Sequence, residues 1–178
     1  MRLIVELSGE HPELPFAELQ VVGEVIDKRP QVAVVESRDP WSARRLAMAH
    51  SVLEYLGDSP ADPAAFLSMV RDLGITADCP FAARVKKIAG SAWNVTVPDL
   101  ERRIGSIIRG KVDLDDPGCE YRAILSGDRC YFGKVIFHGE RPSYELRRPG
   151  SRTFFHPGVM MPRLARALVN ISLVAPGE

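Results

Sequence analysis

The chain has 178 residues, 46% hydrophobic and 26% charged, with a formal net charge of zero. That composition is ordinary for one or two small folded domains, and no apolar run is long enough for a membrane-spanning helix. The charge is uneven: residues 1–80 carry 7 Lys+Arg against 13 Asp+Glu, and residues 81–178 carry 16 against 10. The basic half therefore suits a nucleic-acid or acidic partner, or the two halves are simply solvated surfaces of opposite sign.

Arg2–Leu7 reads as a first strand. An acid within the first seven residues argues against a secretory signal, so a cytoplasmic protein is expected. His11-Pro12 opens a helix with Phe16, Leu19 and Val22 on one face. Gln31–Glu36 is a β-branched run and reads as a second strand. Asp39-Pro40 starts a short helix through Met48, and Ser51–Leu56 reads as a third strand. Asp62-Pro63 pairs an N-cap with proline at the first helical position, and Gly74 ends that helix. This alternation of strand and helix over residues 1–75 predicts an α/β domain of the split sandwich type.

The charge balance changes sign near residues 75–80. Phe81–Ala89 then reads as a strand with Phe81, Ala83 and Val85 on one face and Arg84 and Lys86 on the other. Lys87 breaks the alternation, which predicts a bulge or an end there. Pro98 opens a helix whose buried stripe is Leu100, Ile104, Ile107 and Ile108; Arg102, Ser106 and Arg109 line its opposite face. Glu120–Leu125 and Arg129–Phe137 form a hairpin, the second strand apolar enough to be central. Residues 138–153 read as a basic linker. Pro162 begins a last helix with Leu164, Leu168 and Ile171 on one stripe and Arg163, Arg166 and Asn170 on another.

The densest chemical feature is the cation set Arg84, Lys86, Lys87, Arg102, Arg103, Arg109 and Lys111, accompanied over residues 81–111 only by Asp99 and Glu101. Such a set suits phosphate oxygens without reading sequence. Catalytic residues are not expected. His11 reads as a cap or a solvent-facing residue, and His50 and His138 as surface residues. No Ser-His-Asp context, phosphate loop or dinucleotide fingerprint occurs. No metal site is expected: the acidic turns lack the calcium-loop pattern, and Cys79, Cys119 and Cys130 lack close spacing. The cysteines read as buried thiols in a reducing compartment.

The strand Phe81–Ile88, the helix Leu100–Ile108, the segment Lys111–Leu114 and the strand Asp128–Gly133 together resemble a THUMP domain, an RNA-binding module of tRNA-modifying enzymes. The tail, Arg152 to Gly158 followed by Pro162–Asn170, resembles the segment that precedes the methyltransferase domain of archaeal tRNA guanosine N2-methyltransferases. The resemblance implies a ferredoxin-like domain over 1–75, a THUMP core over 76–138, and a linker with its helix over 139–178, an α/β (α+β) architecture. It implies tRNA as partner and S-adenosylmethionine as cofactor of the parent enzyme, with Phe154, Phe155, His156 and Pro157 beside that cofactor. The family's Asp-Pro-Phe-Cys-Gly and Asp/Asn-Pro-Pro-Tyr motifs are absent from these 178 residues, so this chain is expected to hold no cofactor itself. The expectation is a tRNA-binding half whose methyltransferase domain is missing or separate. The alternatives are a stand-alone subunit docking on a catalytic chain, and a small-molecule regulatory domain.

Overall fold

The computed structural model describes residues 1–151, 153, 154, 156 and 158–174, without the side chains of Arg141 and Pro142. The protein is mixed α/β and divides into two compact units: residues 1–28, 33–52 and 137–178 form the first, and residues 29–32 and 53–136 the second. No helix among the described residues is long and apolar enough to cross a membrane.

The first unit contains β1 (Arg2–Leu7), α1 (Leu14–Glu18), β2 (Glu24–Arg29, its last residue excepted), β3 (Val32–Glu36, its first residue excepted), a 3-10 helix over Pro40–Arg45, and the start of β4 (Ala49–Pro60). α4 (Arg141–Leu146) and α5 (Pro162–Ile171) also belong to it. The strand order here is β2-β3-β1-β4. Leu3, Ile4 and Val5 of β1 are all fully buried in sequence, the pattern of a strand covered on both faces. β2 is a strand that periodicity did not indicate. It is an edge, mostly exposed and charge-bearing, so no apolar face marks it. The turn after β2, Pro30-Gln31, places Gln31 at φ +58, where glycine or asparagine would have signalled it. The expected helix over residues 40–48 is only the 3-10 segment, capped by Asp39 accepting from the Trp41 amide at 3.0 Å.

α5 forms where the sequence places it, but its stripes are distributed differently from an ordinary amphipathic helix. Ala167 and Asn170 are fully buried, whereas Leu164 and Leu168 are exposed. The polar stripe turns inward because it finds partners there. Asn170 donates to Glu18 at 2.6 Å and to the Arg45 carbonyl at 2.7 Å. Arg163 pairs with Glu10, and Arg166 donates to the Arg45 carbonyl at 3.4 Å.

The second unit contains the rest of β4, α2 (Pro63–Asp72), β5 (Phe81–Lys87), α3 (Val97–Ile107), β6 (Cys119–Ser126) and most of β7 (Arg129–His138), in the strand order β4-β7-β6-β5. β7 is interior, as its apolar sequence predicts. β6 and β7 pair antiparallel and close on Gly127-Asp128, with Gly127 at φ +55 in the turn. β5 runs parallel to β6, Phe81 opposite Cys119, and ends at Lys87, where the alternation fails. β4 continues to Pro60, past the expected Leu56. Its polar end stays extended because Asp58 bonds Tyr55 and pairs with Arg129 of the neighbouring β7. The core joins Phe66, Phe81, Leu100, Ile104, Tyr121 and Phe132, with edge-to-face pairs Phe66–Phe132 at 5.8 Å and Phe81–Tyr121 at 5.9 Å.

The cysteines depart from expectation. Cys79 and Cys119 form a disulfide between the segment entering β5 and the first residue of β6, their Cα atoms 6.0 Å apart. Wide sequence spacing concealed this pair, which the parallel β5–β6 register brings together. Cys130 is the buried thiol, and burial pushes its pKa well up.

Candidate nucleic-acid interface

Two elements of the second unit present the predicted cations. β5 ends the strand order and carries Arg84 half-buried and Lys86 exposed, and α3 packs Leu100 and Ile104 into the core while turning Arg102 and Ser106 outward; Arg109, expected on that helix face, lies beyond its last residue. Pro98 sits in the first turn of α3, and Asp99 there complements the helix dipole. Arg84 from β5 and Arg102 from α3 line one open depression of about 480 Å³, together with Glu101, Ser106 and Leu114.

The chemistry of that depression is set by how each charge is held. Arg84 is half-buried and donates to the Leu114 carbonyl at 2.7 Å, which fixes its guanidinium and leaves further N–H groups to donate. Arg102 and Arg103 are exposed and share Asp99 at 3.7 and 3.9 Å, a loose surface pairing in which two cations face one carboxylate. Glu101 accepts from the Val85 amide at 2.9 Å, so part of its acceptor capacity is spent on the strand edge.

The remaining predicted cations are placed individually. Lys86 is exposed on β5. Lys87 bends to the Trp93 carbonyl, away from a free phosphate role. Arg109 and Lys111 are exposed just past α3, where their backbone bridges to the Ile75 carbonyl and the Phe81 amide. Beyond them Asp113 accepts from the Asp116 and Asp115 amides, each at 3.1 Å, and these two bonds hold its carboxyl below the usual range.

Of the residues expected beside a cofactor, Phe154 is 79% exposed and His156 is also exposed. Phe155 and Pro157 lie outside the described residues. His11 accepts from the Glu13 and Leu14 amides at 3.1 and 3.0 Å and so caps the start of α1. Asp78, Cys79 and Cys119 converge closely enough to suggest metal ligands, but the sulfurs are joined and Lys134 donates to Asp78 at 3.1 Å. That ammonium, its hydrogen bond first, draws the Asp78 pKa down.

Sequence reasoning missed one cluster. In the first unit Trp41 stacks on Phe137 with centroids 6.4 Å apart and planes 20° from parallel. The Arg44 guanidinium carbon lies 4.7 Å from the Trp41 centroid and 5.4 Å from that of Phe137. A tryptophan three residues before the pair Arg44-Arg45 was the available sequence signal.

No protein-family profile matches the chain. It is 35% identical to a tRNA (guanine(10)-N2)-dimethyltransferase of Methanothermobacter thermautotrophicus, covering 100% of this chain and 56% of that protein. It is 27% identical to a protein of the same name from Methanocaldococcus jannaschii, covering 97% of this chain and 58% of that one. Among solved structures it is similar to TrmN from Thermus thermophilus, at 18% identity and a TM-score of 0.59, over 99% of this chain and 56% of that chain. At that identity the structural likeness speaks for the fold. Along its whole length the chain is thus similar to archaeal tRNA (guanine-N2)-dimethyltransferases, and it spans about half the length of the curated relatives it matches.

Proposed function

We propose that this chain is the tRNA-holding region of a tRNA guanosine N2-methyltransferase, built from a ferredoxin-like domain and a THUMP-like module. The observation that carries this reading is the convergence of Arg84 and Arg102 on one open depression, in a chain similar end to end to tRNA-modifying enzymes. Phosphate oxygens of a folded tRNA occupy that depression. Arg84 supplies a pre-set fork and Arg102 a mobile one, with Lys86, Arg103, Arg109 and Lys111 adding field around them. Recognition is of shape and backbone, because helical RNA hides its base edges in a deep, narrow major groove.

The role in catalysis is positioning. Contacts made at a remote part of the tRNA hold the target guanine in place for a methyltransferase domain, converting an encounter into an oriented step. S-adenosylmethionine supplies the methyl group in the complete enzyme, and no step of the transfer is assigned to a residue of this chain. A catalytic half, continuous with this chain or separate from it, is proposed to cover the outward stripe of α5, where Leu164, Leu168 and Val169 are 37%, 42% and 46% exposed.

Charge reversal tests the phosphate assignment. Arg84→Glu with Lys86→Glu is expected to weaken tRNA binding at least tenfold and to lower the salt slope by about two, one per lost phosphate contact. Unchanged affinity in an anisotropy titration would remove the assignment.

A further inference from the structure

The Trp41 cluster belongs to the first unit and plays no part in the phosphate depression. Single exposed aromatic residues are common and need no ligand. Here three features coincide. Trp41 is 54% exposed, yet its backbone is pinned: Asp39 accepts from the Trp41 amide at 3.0 Å, and the Asp39 carbonyl accepts from Ser42 Oγ at 2.6 Å. The ring is thus presented on a fixed turn. A second ring, Phe137, lies nearly parallel to it. Arg44 faces both rings and, among the described residues, pairs with no carboxylate. Beside Arg44 and Phe137 opens a depression of about 200 Å³, lined also by Leu46, Ala49, His138 and Glu140.

We propose that this cluster is a docking site for one unpaired nucleotide of RNA, its base stacked at the Trp41 face and its phosphate on Arg44. A flat π-face that accepts any base, an adjacent cation and a recess with both apolar and polar groups suit single-stranded recognition. A helical phosphate backbone alone would need the cation and not the rings. The proposal rests on the RNA-binding reading above only in its ligand class, because it concerns a different surface and a different part of the RNA.

The chain contains two tryptophans, and Trp93 is 2% exposed, so Trp41 reports on this surface. The test titrates the full chain with a short single-stranded oligoadenylate while following tryptophan emission, and measures tRNA anisotropy in parallel. The expected result is saturable quenching in the wild type and none in Trp41→Phe, which retains only the buried indole. Trp41→Ala should weaken oligoadenylate binding about tenfold, the worth of a stacked base. Arg84→Glu with Arg102→Glu should leave the quenching intact. Absence of quenching in the wild type, or equal quenching in Trp41→Phe, overturns the proposal, even if tRNA still binds through the second unit. Emission that depends on protein concentration without RNA would assign the rings to contact between copies and also overturn it. Quenching that persists while tRNA binding ignores Arg84 and Arg102 would sustain this site and reject the phosphate assignment.

Discussion

Glu18 is a carboxylate with no exposed surface, and it is satisfied by three donors: the Ala47 amide at 2.7 Å, the Met48 amide at 2.9 Å and Asn170 at 2.6 Å. Removing one acceptor from such a set costs more than the bonds are worth, because the donors stay buried and unpaired. Glu18→Ala should therefore lower the unfolding free energy by about 3 kcal/mol, read by denaturant titration. Nothing in the sequence marks Glu18, one acid among 23, since its partners lie about 30 and 152 positions away. Asp113 makes a pH prediction. Its folded pKa is lowered, so its contribution to the turn is complete above the ordinary carboxylate value of about 3.9 and is lost as pH falls through the lowered value. The Asp115 and Asp116 amide resonances should hold steady down to about pH 4 and shift only below it. A shift centred above that value would contradict the hydrogen bonding described for this turn.

At the scale of elements, α5 distinguishes pattern from environment. Its periodicity was legible, but the face it buries was not, because Asn170, Arg163 and Arg166 find partners that only the fold supplies. Leu168→Glu should change stability by less than about 0.5 kcal/mol, whereas Ala167→Glu should cost about 3 kcal/mol or more by burying a charge. Equal costs in thermal melts would reverse the assigned face. The start and buried stripe of α3 and the β6–β7 hairpin were legible, since Pro98, Leu100 with Ile104, and Gly127 each act within one turn of chain, but the helix ends at Ile107, short of the expected Arg109. The edge strand β2 and the Cys79–Cys119 bond were not, because one lacks an apolar face and the other depends on strand register. The disulfide spans 40 positions, enclosing β5 and α3. Loop-closure entropy makes it worth about 4 kcal/mol, so reduction should lower the melting temperature clearly. An unchanged melt would show that the bond does not form in solution.

For the whole molecule, the sequence carried the mixed α/β class and the concentration of cations in its second half. It could not show that Arg84 and Arg102 line one depression while Lys87 turns to the Trp93 carbonyl, because that depends on how α3 lies on β5. Nor could it bring Trp41 to Phe137, 96 positions later, where the two rings stack. On the proposed function, the chain recognises tRNA by shape, through phosphates held in the second unit. The most direct test is anisotropy of labelled tRNA across a salt series, with a short unstructured RNA as control and Arg84→Glu/Arg102→Glu as variant. Folded tRNA should bind more tightly than the control, with a steep dependence on salt and a slope lower by about two in the variant. Equal affinity for both RNAs, or a variant that matches the wild type in affinity and slope, would contradict it.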